Sequence, residues 1–269
     1  MSVWTYRGND NEPERIEAAV KSRSCLYCRT HLEVLRESSE DLSHPKTLSF
    51  MSRQRVVRVC PVCGWWTIHE STFGNQGPDE VFGDSGASAT LIDLDLADQT
   101  IPLKEIRQYL VVNYRARFRI DPAVFENVVA SVYRDLGYSV VVTGRRGDGG
   151  IDVILEDSRG SKIGVEVKRY KNRIRVTQIR SLLGALMLRG ITRGVFVTTS
   201  SFQRGAHLAV RRSADLGKPI ELVDSQRFYD ALRIAQRSQY TSSTDPTAPF
   251  AQAHLVRIRS EVRTPDLRF

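Results

Sequence analysis

From Ile151 to Lys168 the chain reads I-D-V-I-L-E-D-S-R-G-S-K-I-G-V-E-V-K, two arms of alternating apolar and polar residues around a turn rich in Asp, Ser and Gly. Alternation with a period of two marks half-buried strands, and a short polar turn between two such arms predicts a hairpin. A three-residue loop at 158–160 pairs Asp157 with Ser161, and counting back sets Asp152 opposite Glu166. Cross-strand neighbours of this kind hold their Cβ atoms about 5 Å apart. Side chains two positions apart share a face, so Lys168 stands beside Glu166 while Val165 and Val167 turn away. One sheet face therefore carries two carboxylates and an ammonium.

That grouping suits phosphodiester hydrolysis, which needs a hard cation on oxygen ligands, a polarised water and positive charge near the phosphate. Mg²⁺ is usually held by one or two carboxylates and keeps several waters. Asp152 and Glu166 fit that role with Mg²⁺ or Mn²⁺, and Lys168 can orient or deprotonate the water or stabilise the transition state. Taken alone, the same pattern also describes a surface hairpin with a solvated ion pair.

The neighbouring elements narrow the choice. Asp121, Pro122 and the spacing of Phe125, Val128, Val129 and Val132 predict a capped amphipathic helix, closed by Gly137. Tyr138–Thr143 reads as a strand. After the hairpin come a helix over Val176–Arg189, a buried strand over Gly194–Thr199, a helix from Gln203 to Leu216, a short strand at Pro219–Val223 and a last helix from Ser225 to Gln236. The order is α-β-β-β-α-β, then α-β-α.

These residues resemble the Mrr-like restriction endonucleases of the PD-(D/E)XK nuclease superfamily. The likeness rests on Phe125-Glu126, the L-G-Y at Leu136–Tyr138, the G-D-G-G-I-D ending at Asp152, and the V-E-V-K-R-Y at Val165–Tyr170. The I-R-S-L-L-G-A at Ile179–Ala185 and the V-F-V-T-T-S-S-F at Val195–Phe202 extend it. The resemblance implies an α/β fold with a restriction-endonuclease-like core, a mixed sheet between helices, and a divalent-metal endonuclease activity. It places Asp152, Glu166 and Lys168 at the family's catalytic positions, and Glu126 at the acidic position of its first helix, which helps hold or orient a metal. Many close members carry Gln where this chain has Glu166; Glu is the superfamily's more general choice. Asp148, before Gly-Gly, reads as a turn former.

All four cysteines fall in two C-x-x-C pairs, Cys25-Leu-Tyr-Cys28 and Cys60-Pro-Val-Cys63-Gly64. Paired knuckles suit one tetrahedral structural Zn²⁺, with two thiolates from each turn. The 31 residues between the pairs suit a zinc ribbon, with the strand-like runs Arg55–Val59 and Trp65–His69 flanking the second knuckle. Disulfides are disfavoured because no secretory signal is visible, a redox dithiol needs only one pair, and iron is the minor alternative ion. His31, His44 and His69 are not needed as ligands.

The composition is that of a globular protein, and no run reaches the length of a membrane span or signal peptide, which points to the cytoplasm and away from membranes. With 39 Lys and Arg against 31 Asp and Glu, the formal charge of +8 favours a polyanionic partner. Its distribution is more telling, since Val167–Ala214 contains eleven Lys and Arg and no acid. Arg169, Lys171, Arg173 and Arg175 follow the hairpin, and Arg145 and Arg146 precede it, so these six are candidate phosphate contacts. The alternative is a solvated basic face.

The expected organisation is a zinc ribbon over 1–72, a linker over 73–100 rich in Gly, Ser and Asp, an endonuclease domain over 101–236 opened by a helix from Pro102, and a tail over 237–269 left between strand and disorder. There is no nucleotide-binding phosphate loop. The leading expectation is a Mg²⁺-dependent endonuclease cutting DNA, most simply duplex, in defence against foreign or modified DNA; a homodimer is compatible with it. The alternatives are a non-catalytic zinc-ribbon adaptor that binds nucleic acid, and an RNA- or junction-specific nuclease. No residue pattern identifies a target sequence or a modified base.

Overall fold

The computed structural model describes residues 6–8, 12–43, 49–143, 150–240 and 253–263. The chain divides into two compact units, one of residues Met1–Asp93 with Ser243–Phe269 and the other of Leu94–Ser242.

The first unit is an antiparallel sheet. It contains β1 (Tyr6–Gly8), α1 (Pro13–Lys21), β2 (Glu33–Asp41), β3 (Met51–Val59), β4 (Trp66–Gln76) and β5 (Asp79–Leu91). The order is β1-β5-β4-β3-β2, with consecutive strands from β2 to β5 joined as hairpins. At the knuckle end the sheet is buried: Val57, Val59, Trp66, Ile68, Ala87 and Ala89 line up with Trp65, whose indole N–H donates to the Ala89 carbonyl at 2.7 Å. Ile16, Ala19 and Val20 of α1 complete this core.

The second unit carries α2 (Leu103–Val112), a 3-10 turn (Tyr114–Phe118), α3 (Pro122–Asp135), β6 (Ser139–Val142), β7 (Val153–Glu156), β8 (Lys162–Lys168), α4 (Val176–Leu188), β9 (Arg193–Thr198), α5 (Arg204–Asp215), β10 (Ile220–Val223) and α6 (Ser225–Tyr240). Its sheet order is β10-β9-β8-β7-β6, antiparallel from β6 to β8 and parallel from β8 to β10. This is the restriction-endonuclease-like α/β core, with the αβββαβ order expected of it. The parallel pairs follow from the crossovers: a chain returning through α4 or α5 must enter the next strand in the same direction. Ile179, Leu182 and Leu186 of α4 pack with Phe196 and Ile220 in one cluster, while Phe125 of α3 meets Phe228 of α6 edge-on at 5.3 Å.

Helix α3 begins where the sequence signals it, whereas α1 was not anticipated. Asp121 caps α3 by accepting from the Ala123 and Val124 N–H groups at 2.8 and 3.3 Å, with Pro122 in the first turn, where its missing N–H costs nothing. A buried ion pair between Arg107 and Asp135, 2.6 Å apart, with Arg107 also donating to Ser131, ties α2 to α3.

One expectation is corrected. Residues 73–100 are not a linker: they contain the end of β4 and all of β5, paired residue by residue from Thr67↔Ser88 to Gln76↔Asp79. The glycines there serve close packing. A Cβ on Gly86 would lie 3.0 Å from Ile16, from Ile258 and from the Ile68 carbonyl, so the helix and a neighbouring strand can approach only a bare backbone. The tail, left between strand and disorder, contributes a strand. The chain re-enters the first unit as β11 (Val256–Arg263), antiparallel to β5 from Val256↔Gly86 to Arg263↔Glu80, and α6 extends four residues past the expected Gln236.

Candidate active site and metal centre

The hairpin of β7 and β8 has the expected register. Val153 faces Val165 and Glu156 faces Lys162, and the turn closes with the Asp157 N–H donating to the Ser161 carbonyl at 3.1 Å. One step beyond the last paired residue, Asp152 donates its N–H to the Val165 carbonyl at 2.8 Å, and its Oδ2 accepts from the Val167 N–H at 2.7 Å. That second bond fixes the side chain across the hairpin, on the side of Glu166.

Glu166 is only 7% exposed. Its Oε1 lies 2.6 Å from Lys168 Nζ, whereas Oε2 is buried with no hydrogen-bond partner. Burial pushes the Glu166 carboxyl up to about 7; the Lys168 hydrogen bond opposes this, and the negative charges of Asp152 and Glu126 add to it. Lys168 shifts upward too, because its bond to Glu166 and the charges of Glu166 and Asp152 outweigh the opposing effect of burial. Raised values on both members of an ion pair pull in opposite directions. The side chain of Glu166 is the more enclosed, 9% exposed against 30% for Lys168, so its resistance to charge dominates.

The four predicted residues are thus brought into one electrostatic neighbourhood, three acids around one ammonium. An excess of carboxylate charge next to a buried oxygen without a donor fits a hard cation. The three carboxylates do not all converge: among the described residues only the four cysteines bring three or more potential ligand atoms within 4.8 Å of each other. Glu126, half-buried on α3, adds a smaller negative-charge effect on Glu166 than Asp152 does. Two further residues stand near the site, one in the G-D-G-G-I-D segment and one in the I-R-S-L-L-G-A segment. Gly150, at φ +90°, leaves room beside Glu166: a Cβ there would lie 3.6 Å from Oε2 and 3.7 Å from the Ser181 hydroxyl. Ser181 comes from α4, where helical periodicity marks only its apolar neighbours.

The basic residues divide. Lys171, Arg173 and Arg175 are exposed. Arg173 Nε donates to the Ser201 hydroxyl at 3.3 Å, and the backbone N–H of Arg175 donates to the Gln178 side chain at the start of α4. Arg169 instead donates to the Phe118 carbonyl at 2.6 Å, which holds the end of β8 to the 3-10 turn and commits this guanidinium to the fold. Arg145, Arg146, Asp148 and His44 lie outside the described residues.

In the first unit the two knuckles repeat one backbone turn. The Cys25 N–H donates to the Thr30 carbonyl and the Cys60 N–H to the Trp65 carbonyl; four residues on, the Arg29 and Gly64 N–H groups return to the Cys25 and Cys60 carbonyls. Both of those fourth residues have positive φ, 62° at Arg29 and 77° at Gly64. Sulfur separations are 3.5 Å for Cys25–Cys63, 3.4 Å for Cys28–Cys60 and 3.7 Å for Cys28–Cys63. These are far beyond a disulfide bond and close to the roughly 3.8 Å edge of a tetrahedron with Zn–S bonds of about 2.3 Å. Hydrogen bonds among the sulfurs pull Cys28 and Cys60 towards the thiolate and hold Cys25 and Cys63 as thiols. The donor set can hold Zn²⁺. Thr30 Oγ1, 3.3 Å from the Cys28 sulfur, is placed to support that ligand. His69 is engaged with Asp84 at 3.2 Å.

Residues 118–232 match the Mrr_cat family model, described as restriction endonuclease. The chain is 35% identical over 141 residues to the type IV methyl-directed restriction enzyme EcoKMrr of Escherichia coli (strain K12), covering 49% of this chain and 44% of that protein. It is also 35% identical over 124 residues to the uncharacterized protein y4cE of Sinorhizobium fredii (strain NBRC 101917 / NGR234), covering 41% and 31%. The chain therefore spans less than half the length of either relative. Among solved structures, the MspJI restriction endonuclease in complex with a 27-mer oligonucleotide aligns over 56% of this chain and 36% of its own, at 20% identity and a TM-score of 0.35.

Proposed function

We propose that this protein, in which residues 118–232 are an Mrr-type restriction endonuclease domain, is a metal-dependent endonuclease that hydrolyses phosphodiester bonds in DNA. The observation that carries the reading is the buried, unpartnered Oε2 of Glu166 beside Asp152 and Lys168. A carboxylate oxygen without a donor is costly to keep charged, and a bound cation removes that cost.

Asp152 and Glu166 would hold Mg²⁺ or Mn²⁺, with the bond from the Val167 N–H fixing the Asp152 side chain. When bound, the metal supplies a lowered pKa for water and charge neutralisation at the phosphate. Lys168, whose ammonium lies 2.6 Å from Glu166 Oε1, would orient the attacking water or stabilise the developing oxyanion. Glu126, on α3, orients water at the edge of the site. Lys171, Arg173 and Arg175 grip the backbone on one side of the scissile bond. In the other unit, Cys25, Cys28, Cys60 and Cys63 hold a structural Zn²⁺.

The substrate is duplex DNA in the cytoplasm, and foreign or methylated DNA is the class to try first, since EcoKMrr is a methyl-directed enzyme. The test is cleavage of unmodified duplex, methylated duplex, single-stranded and branched DNA, and RNA, with and without Mg²⁺ or Mn²⁺. Metal-dependent cutting of a duplex that is lost in Asp152→Ala supports the reading. Binding without cutting on every substrate would make the protein a nucleic-acid adaptor, and cutting confined to RNA or junctions would reassign the substrate.

A further inference from the structure

Strands β8 and β9 run parallel as far as Lys168↔Thr198 and next meet at the isolated bridge Ile174↔Phe202. Between those two pairs one side has five residues, 169–173, and the other has three, 199–201. Unequal lengths cannot continue a parallel ladder, so the longer side leaves the sheet as a loop and its carbonyls need other donors. That loop is the first part of the basic segment and begins directly after Lys168.

Four consecutive hydroxyl side chains on the short side meet it. Thr198 Oγ1 donates to the Lys168 carbonyl at 3.0 Å, Thr199 Oγ1 to the Tyr170 carbonyl at 2.9 Å and Ser200 Oγ to the Lys171 carbonyl at 3.1 Å. Ser201 Oγ accepts from Arg173 Nε at 3.3 Å. Main-chain bonds close the two ends: the Thr199 N–H donates to the Lys168 carbonyl at 3.2 Å and the Ile174 N–H to the Ser201 carbonyl at 2.8 Å. Thr198 and Thr199 are fully buried, directly after the apolar Val195–Val197 stretch of β9. Valine would fill the same space there without a polar group to satisfy, so what the hydroxyls add is their bonds. The run is itself anchored, because Arg117 Nε of the 3-10 turn donates to the Thr199 carbonyl at 3.0 Å.

On the reading of this segment as a phosphate contact, we propose that Thr198, Thr199, Ser200 and Ser201 are positioning residues for the nucleic acid. They fix the main chain of the loop so that Lys171 and Arg173 meet the phosphate backbone at a set distance from Lys168. What they hold adds nothing to the core: Tyr170, Lys171, Asn172 and Arg173 are all exposed. Three of the four bonds engage carbonyls, which fixes the loop without consuming the Lys171 ammonium. A loop ordered in advance spares the complex the entropy of ordering it on binding.

Equilibrium binding of a labelled mixed-sequence duplex to full-length protein in metal-free buffer tests this. Thr199→Val keeps the shape and removes the hydroxyl; it should weaken binding by about three- to tenfold, the size of one lost hydrogen bond, and Thr199→Ser should restore it. Ser200→Ala, at a part-exposed position, should act in the same direction with its thermal melt retained, and it covers the case of a misfolded Thr199→Val. In protein carrying Lys171→Ala and Arg173→Ala the log–log salt slope should fall, and adding Thr199→Val or Ser200→Ala should then change nothing further. A positioning residue acts only through what it positions. No duplex binding by the wild type, or full affinity without Lys171 and Arg173, would overturn the reading of the segment and the proposal with it. A loss without those two cations, but wild-type affinity in Thr199→Val and Ser200→Ala, would overturn the proposal alone. Losses that simply add in the combined variants would also overturn it, making the hydroxyls structural.

Discussion

Lys168 and Glu166 meet through one oxygen only: Nζ is 2.6 Å from Oε1, while Oε2 is buried without a donor. The lysine satisfies half of the carboxylate and leaves the other half turned inward, where Gly150 leaves room for it. The pair is therefore incomplete as a salt bridge and well suited as one side of a cation site.

The first prediction concerns pH and metal. Burial raises Glu166 from its usual value to about 7, so the folded protein favours its protonated form. A raised carboxyl pKa gives stability that is full below the unfolded value near 4.5 and is lost as pH rises through 7. Without divalent metal, the second unit should lose on the order of 1–3 kcal/mol between pH 4.5 and 7.5 from this group. Mg²⁺ should restore more stability at pH 8 than at pH 5.5, and Glu166→Gln should flatten both responses. Thermal melts across pH, with and without Mg²⁺, check this; a metal effect independent of pH would count against it.

Removing the chemistry should separate from removing binding. Asp152→Ala is expected to abolish cleavage, and Lys168→Ala to slow it by about 10² to 10⁴ with duplex affinity nearly intact. Glu126→Ala should be milder, as expected of a carboxylate that only orients water. Single-turnover rates alongside equilibrium binding provide the measurement, and full activity in Lys168→Ala would remove that residue from the site.

For the cysteine centre, Cys60→Ser should lower zinc content sharply and unfold the first unit, because structural zinc in small domains contributes on the order of 10–16 kcal/mol of apparent binding energy. Trp65 and Trp66 lie in that unit and residues 94–242 contain no tryptophan, so tryptophan emission does not report on the second unit. A loss of the fluorescence transition with a retained helical melt at 222 nm would be the expected pattern. Freshly purified, reduced wild-type protein free of bound metal by elemental analysis would refute the zinc assignment.

Phosphate contacts should reveal themselves through salt. Arg173→Ala and Arg175→Ala are expected to weaken binding across many sequences and to flatten the log–log salt dependence by up to about 0.9 per lost contact. Arg169→Ala should behave differently: its guanidinium holds the Phe118 carbonyl, so its loss should lower thermal stability more than it alters the salt slope. Salt titrations paired with melts distinguish the two groups.

The amino-acid sequence by itself determined the hairpin register, the cap of α3 and the two C-x-x-C turns, because each depends on residues close along the chain. Asp157 to Ser161 is a turn of set length, and that count alone places Asp152 opposite Glu166; Asp121 and Pro122 start a helix whatever it later packs against. Tertiary structure decided the rest. Glycine favours flexibility in a free segment and close approach in a packed one, so the stretch around Gly86 could be read as β5 only once Ile16 and Ile258, from opposite ends of the chain, had closed on it. Whether an arginine reaches solvent or a carbonyl, as Arg173 and Arg169 do, depends on the position of the 3-10 turn at Phe118 relative to β8. The unpartnered Oε2 of Glu166 has the same origin: burial is a property of everything packed around a residue, and only the assembled sheet and helices set it.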